Sequence, residues 1–275
     1  MITPHIYSFD ATRRSFLRDG MRDIVAGLFG YRLWANVGWL EVKQNFHGSF
    51  LVPFWVTLTT ALMSAGLGVA YSQIFGIPLS EYLPYVAGGI IVWGTISSAM
   101  NDGTAAFTRS SHIFKQVQIP ISSFIFKLIF KNMILFFFRS IVFIVIVIGI
   151  QLELNRAMFL VLPGLLLIYF TSVWVALLLA ALTARFRDVG QMTSALLTFI
   201  FLLTPIFWKA ERLGDYSVYV NVNPFHHYIS ILREPMLGVV PDSLSYIVCI
   251  GLSILICGMS ICVFGRVVHR IPYWC

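Results

Sequence analysis

Long runs without charged residues follow one another along the chain, separated by short polar segments. They cover residues 48–80, 82–101, 140–152, 157–184, 189–208 and 243–265. A helix needs about 20 apolar residues to cross the hydrocarbon of a bilayer. The third run reaches this length when it is extended back past Arg139 to residue 132. The pattern therefore predicts six transmembrane helices, and its continuous rather than alternating runs do not suit the strands of a β-barrel.

Composition and charge agree with an all-α polytopic membrane protein. The chain is 58% hydrophobic and 11% charged, against about 25% charged residues in soluble domains. Its net charge of +7 does not indicate nucleic-acid binding, because most of the 19 lysine and arginine residues flank the predicted helices on one side. The other side carries only Arg156, Lys209, Arg212 and Arg233. By the positive-inside rule both termini are predicted to be cytoplasmic.

The segment before the first predicted span has two parts. Residues 1 to about 22 are polar, and we expect them to be mobile. Between residues 23 and 48, apolar side chains recur at helical spacing beside a basic face, which predicts an amphipathic helix on the cytoplasmic interface. We accordingly divide the chain into a cytoplasmic part at 1–48, a transmembrane domain at 49–265 and a cytoplasmic tail at 266–275.

Two connecting segments are more than simple turns. A basic cytoplasmic segment at about 106–120 has room for two or three helical turns before Pro120, which favours a docking element for a soluble partner over a plain connector. An outer segment at about 209–242 contains an apolar stretch bounded by prolines, typical of either a re-entrant helix or an interfacial loop helix. Within it, Arg233 and Glu234 are interpreted as a surface pair.

Several kinds of chemistry are missing from the sequence. No lysine follows a glycine, so there is no phosphate-binding loop of the Walker A type, and we expect the chain to bind no cofactor. The four cysteines lack metal-ligand spacing and are interpreted as inert. Asp102 is almost the only acid in the apolar runs, whereas ion-coupled carriers usually place carboxylates at mid-membrane. The energy for transport is therefore predicted to come from elsewhere.

A few residues in the predicted spans are candidates for contact with a substrate. Arg139 lies about two turns inside the third span, where either contact with an anionic substrate or, more cheaply, snorkelling to the cytoplasmic interface would explain it. Aromatic rings recur in or beside spans one, two and five, where most suit packing or the interface and some could line a pore for sugars. They are Phe54, Trp55, Tyr71, Trp93, Phe199, Phe201, Phe207 and Trp208.

A charged group at residues 185–188 separates the fourth run from the fifth and predicts a turn between two helices at the cytoplasmic surface. Together with other motifs it carries a resemblance to a known family. The motifs, in chain order, are YVAGGIIVW at 85–93, VQIP at 117–120, RFRD at 185–188, LTPIFW at 203–208, NPF at 223–225 and RIPYW at 270–274. In this order the chain resembles the permease subunit of ABC exporters for lipid-linked polysaccharides, the Wzm and TagG type, and most closely the O-antigen branch.

The resemblance implies a homodimer in the bacterial inner membrane that carries two copies of a separate ABC ATPase, which would hold ATP and magnesium. Spans one and five would form the channel, with Phe54, Trp55, Phe199 and Phe201 as pore aromatics. The basic segment would be the coupling helix, with Arg109, His112, Phe114, Lys115 and Gln116, and the turn at Arg185, Arg187 and Asp188 could also touch the ATPase. The outer gate would include Asn223, Pro224, Phe225, Tyr228, Arg233 and Glu234.

Two other functions remain open at this point. A drug or small-lipid ABC permease would be expected to have a small apolar cavity instead of a continuous aromatic channel. A membrane-embedded transferase would need an acid or base near the interface, for which Asp102, His112 and Asp188 are the only candidates.

Overall fold

Helices are the only regular elements in the part of the chain that the structure, a computed structural model, describes: residues 16–48, 52–152, 155–209 and 217–275. This confirms the predicted all-α class. A 3₁₀ helix, Arg156–Leu160, precedes the sixth α-helix. The α-helices are α1 (Phe16–Phe29), α2 (Tyr31–Gly48), α3 (Val52–Phe75), α4 (Leu79–Gln116), α5 (Ser123–Ile150), α6 (Val161–Arg185), α7 (Asp188–Leu203), α8 (Ser217–Val222), α9 (Pro224–Met236), α10 (Ser243–Val267) and α11 (Ile271–Trp274).

Five helices are long and apolar enough to cross a membrane: α3, α4, α5, α6 and α10. The predicted fifth span differs, because α7 has only 16 residues, or about 24 Å of helix. It ends at Thr204, whose φ of −90° and ψ of 136° are extended, as expected for the residue before a proline. The rest of that apolar run, residues 204–208, is not helical, and together with Lys209 it forms a segment that we call the outer linker.

The bundle has two ends, which we name after the predicted topology. The inner end carries the turn at residues 185–188, where α6 stops at Arg185 and α7 starts at Asp188, as predicted. The outer end carries the outer linker and α9. The third span is longer than predicted, since α5 begins at Ser123 and includes Lys127 and Lys131 in its inner turns.

The N-terminal amphipathic segment consists of two helices that meet at Gly30, not one. The expected mobile segment is wrong for residues 16–22, which belong to α1, and residues 1–15 lie outside the described part. The buried face of α1 consists of Gly20, Ile24 and Gly27. A Cβ on Gly20 would lie 2.5 Å from the Gly265 Cα, so the two glycines let α1 and α10 pack backbone to backbone.

Helix α4 is the centre of the bundle, with α3, α5, α6, α7 and α9 all packed against it. Its 38 residues are continuous to Gln116, a length of about 57 Å, whereas the hydrocarbon is about 30 Å thick. The basic segment that was predicted as a separate coupling helix is therefore the inner end of this span. Only at Val117, which is extended, does the helix stop.

Candidate functional site

Four of the predicted channel aromatics belong to a packed cluster at the outer end. The Trp93 ring is 5.7 Å from the rings of both Phe201 and Phe225. Phe207 lies 5.5 Å from Phe201 and 5.1 Å from Tyr71. These rings connect α3, α4, α7 and α9 at the outer end.

The other predicted channel aromatics are not brought together with this cluster. Phe54, Trp55 and Phe199 each expose more than half of their surface. Phe54 and Trp55 contact each other edge to face near the start of α3, with 6.2 Å between ring centroids. Trp208 lies in the outer linker, where its Nε1 donates to the Leu202 carbonyl. The eight predicted channel residues therefore occupy separate places, some packed and some exposed.

Arg139 does not snorkel to the interface, and that preferred interpretation is wrong. Its side chain is buried between α5 and α4, where Nη2 donates to the Ser98 hydroxyl at 2.8 Å. Gly94 makes room for it, because a Cβ there would lie 3.3 Å from the Arg139 Nε. Among the described residues Nη1 has no hydrogen-bond partner.

The exposed faces of the spans fall into two classes. On α5, and on α10 apart from Arg266 at its inner end, the exposed large side chains are apolar, for example Ile144 and Ile254. Polar residues interrupt the exposed faces of α3 and α7: Thr59 and Gln73 on α3, and Gln191, Ser194 and Thr198 on α7. Faces of the first class suit lipid, whereas hydroxyl and amide groups suit a protein neighbour or water.

The outer linker is held by side chains that donate to its carbonyls. Arg233 Nη1 donates to the Pro205 carbonyl at 2.7 Å, Tyr82 Oη to Phe207, and Tyr85 Oη to Trp208 at 3.0 Å. The guanidinium of Arg233 also stacks on the Tyr85 ring, 4.0 Å from its centroid. Arg233 is 4% exposed, so the predicted surface pair with Glu234 is wrong, and Ser230 donates to Glu234 instead.

Helix α9 is anchored to its neighbours by the remaining outer-gate candidates. Asn223 caps the helix through the Phe225 N–H, with Pro224 in the first turn, and its amide donates to the Thr204 hydroxyl at 2.9 Å. Tyr228 Oη contacts Ser253 Oγ at 3.0 Å and the Thr171 hydroxyl at 3.3 Å. These bonds connect α9 to α6, α10 and the outer linker.

Close backbone approaches place α9 deep against the spans. A Cβ on Gly164 of α6 would lie 2.5 Å from the Ile231 carbonyl oxygen, and one on Gly88 of α4 would lie 3.1 Å from the Arg233 side chain. Gly88 is nine residues from the start of α4, which is about 13 Å along the helix. Such a depth fits a re-entrant helix better than one lying on the surface.

At the inner end, a polar cleft of about 850 Å³ opens between α4 and α7. We call it the α4–α7 cleft. Asp102 lies in it between two cations, 3.6 Å from Arg109 and 3.4 Å from Lys131. Arg187, Gly190, Gln191 and Ser194 line the α7 side, and Asn101, Asp102, Thr104, Ala105, Thr108, Arg109, Thr183 and Cys275 complete the lining.

Only some of the predicted coupling residues line this cleft. Arg109 and Arg187 line it, whereas Arg185 stacks on Trp274, 5.3 Å from the ring. His112 and Gln116 are exposed on the inner extension of α4, and Asp188 is exposed in the first turn of α7. The side chains of Phe114 and Lys115 lie outside the described part.

One contact at the inner end was not predicted. The Asp23 carboxylate of α1 accepts the backbone N–H groups of Ile121 and Ser122, each at 2.9 Å. It thereby caps the N-terminus of α5. Burial raises the pKa of this carboxyl above its ordinary value, while the hydrogen bonds from Ser122 and Ile121 act in the opposite direction. A lone acid in an amphipathic pattern gives no sign of a partner about 100 residues away.

The structure is a helical bundle built around the long helix α4. The sequence contains no Walker A loop. The family profile described as "ABC-2 type transporter" matches residues 32–237. The chain belongs to this family. The ABC-2 type match implies a membrane-embedded permease subunit with an ABC ATPase as its partner, and it confirms the resemblance drawn from the sequence motifs.

A curated relative of this ABC-2 permease comes from Myxococcus xanthus. This relative is named "O-antigen export system permease protein RfbA". The two chains are 24% identical over 201 residues, which cover 70% of this chain and 75% of the relative. The similarity therefore includes most of both proteins.

Proposed function

We propose that this ABC-2 permease is the transmembrane subunit of an ATP-driven exporter that moves lipid-linked, O-antigen-like polysaccharide across the bacterial inner membrane. The chain would act as a homodimer with two copies of the ATPase and both termini in the cytoplasm. ATP and magnesium would be bound by the ATPase alone. The name of the Myxococcus xanthus relative supports the choice of substrate, and the sequence motifs agree with it.

The observation that carries this proposal is the polar character of two exposed helix faces. Ser194 and Thr198 on α7, and Thr59 on α3, are exposed on helices that pack against only a few others in this chain. Their hydroxyls bond to carbonyls of their own helices, but they make these two faces more polar than the exposed faces of α5 and α10. In a homodimer, α3 and α7 of this chain would face α3 and α7 of the second copy. These surfaces would enclose a path for sugar hydroxyls, bordered by Phe54, Trp55 and Phe199.

Energy would reach this path through the inner extension of α4. His112 and Gln116 are exposed there, on the same helix that holds the outer linker through Tyr82 and Tyr85. ATPase closure would act on this extension and on the turn at Arg185, Arg187 and Asp188. At the other end, the aromatic cluster, the outer linker and α9 would form the outer gate.

Deleting the partner ATPase in the native host tests the export function. Without the ATPase, lipid-linked polymer is expected to accumulate inside the cell while surface polymer disappears, because the permease has no other energy source. Immunoblots of surface and intracellular polymer measure both. Restoring the ATPase from a plasmid is the control, and normal surface polymer in the deletion strain contradicts the proposal.

Thiol labelling tests the polar path independently of export. In a cysteine-free background, Thr59→Cys and Thr198→Cys should react with a membrane-impermeant maleimide about tenfold faster than Ile144→Cys, because only water-exposed thiols ionise readily. Ile144 is the matched control, exposed on α5 and surrounded by apolar residues. Equal labelling of all three positions would argue against a water-filled path at α3 and α7.

A further inference from the structure

The α4–α7 cleft holds more positive than negative side-chain charge. Arg109 and Lys131 share the single carboxylate of Asp102 at 3.6 and 3.4 Å. A fully formed charged hydrogen bond is about 2.7–2.9 Å long, so neither pair is tight. Arg109 and Arg187 are the two cations of the lining, and Lys131 contacts Asp102 from outside it. The cleft therefore offers cationic donors to an anion.

A buried hydroxyl in the lining lacks a partner. Thr183 is 6% exposed, and its Oγ1 has no hydrogen-bond partner among the described residues. Threonines elsewhere in these helices donate to a carbonyl three or four residues back, as Thr104 does to Asn101 and Thr193 to Val189. An unsatisfied buried hydroxyl costs about 1–3 kcal/mol. Its position at the cleft is explained if a ligand supplies the missing partner.

The surface beside the cleft indicates which kind of molecule could carry an anionic group into the cleft. Met192 and Leu196 form an exposed apolar face of α7 that begins next to the cleft and runs toward the outer end. A hydrocarbon chain can lie along such a face in the bilayer. A polar cationic cleft followed by an apolar face fits an amphiphile with an anionic head.

We propose that the α4–α7 cleft binds the phosphate or diphosphate group of a membrane lipid whose hydrocarbon chain lies along α7. Arg109 and Arg187 donate to the phosphate oxygens, since the planar guanidinium matches their geometry, and Thr183 donates its free hydroxyl. This inference rests on the proposed function where the ligand is the lipid-linked substrate. An anionic phospholipid of the bilayer is the other source.

Binding of radiolabelled geranylgeranyl diphosphate to the full chain in phosphatidylcholine nanodiscs tests the site. Arg109→Gln and Arg187→Gln should each weaken binding about tenfold, the effect of losing one charged hydrogen bond. Arg185→Gln is the matched control, since Arg185 belongs to the same turn but stacks on Trp274. It should bind as the wild type does.

Thr183→Val separates ligand binding from folding. Because the hydroxyl is buried without a partner in the folded chain, replacing it with a methyl group should leave the thermal midpoint unchanged or raise it, while weakening diphosphate binding about threefold. A purely structural threonine would show the opposite pattern. Unchanged binding by Thr183→Val, Arg109→Gln and Arg187→Gln overturns the proposal, as does a wild type without saturable binding or with equal affinity for geranylgeraniol.

Phosphatidylglycerol in the nanodisc distinguishes the two sources. If it displaces the diphosphate, the cleft recognises the phosphate of bilayer lipids; if it does not, the cleft selects the diphosphate of a lipid-linked substrate. Both outcomes support phosphate binding. Normal surface polymer after ATPase deletion would contradict the export function without contradicting the phosphate site. Diphosphate binding that is unaffected by substitution of Arg109 and Arg187 would overturn the phosphate site without contradicting the export function.

Discussion

The two ends of the bundle use their polar groups differently. At the outer end, the carbonyls of Pro205, Phe207 and Trp208 each accept a hydrogen bond from a side chain of α4 or α9. At the inner end, Asp102 is shared between two cations and the Thr183 hydroxyl has no partner among the described residues. The comparison teaches that the carbonyls of the outer linker hold the chain in place, whereas the polar groups of the α4–α7 cleft leave donors available to a bound ligand.

The largest expected loss of stability comes from a substitution at the outer end. Arg233→Ala removes a buried charged hydrogen bond to Pro205 and the stacking on Tyr85, and should lower the free energy of unfolding by about 3 kcal/mol or more. Thermal unfolding in detergent micelles measures it. The control is Arg187→Ala, an exposed arginine at the inner end, with an expected change within about 0.5 kcal/mol. Equal effects of the two substitutions would remove the distinction between the ends.

A smaller effect is expected where α9 approaches α6. Gly164→Ala would place a Cβ 2.5 Å from the Ile231 carbonyl oxygen and should cost about 1–3 kcal/mol by forcing the helices apart. Gly251→Ala on α10 is the matched control, because nothing lies within 4 Å of its Cβ position. That change should be neutral, or stabilising by up to about 1 kcal/mol through helix propensity. Melting temperatures of the two variants, measured side by side, decide the point.

The smallest effect concerns pH at the inner end. Because the pKa of Asp23 is raised in the folded chain, the folded state holds this proton more tightly than the unfolded state does. The contribution of Asp23 to stability is then largest below its unfolded pKa and falls as pH rises through the folded pKa.

The difference in thermal midpoint between the wild type and Asp23→Asn should therefore decrease as the pH is raised from about 4 to neutral pH. Thermal unfolding of both proteins across this range measures the difference. A difference that grows with pH would mean that the hydrogen bonds from Ser122 and Ile121 outweigh burial. In that case Asp23 would be a tightly held carboxylate, comparable with the paired groups of the outer end.

Local patterns in the sequence predicted the helices, the turn at residues 185–188 and the position of α9. Tertiary contacts account for what they missed. In the sequence Arg233 resembles a surface residue, because its contacts Tyr85 and Pro205 are far away along the chain. Likewise, Asp23 gains its role only from the start of α5. The α4–α7 cleft joins residues from three helices, so neither Arg109 nor Arg187 could be assigned to it from spacing alone.

The unbroken course of α4 has a mechanical consequence. Between Gly88, which contacts Arg233, and Gln116 at the inner end there is no interruption, so this stretch is a stiff rod about 42 Å long. Tilting such a rod by about 5° around one end moves the other by roughly 4 Å, close to the width of a methyl group. A lever of this kind needs no chain of side-chain rearrangements between its ends.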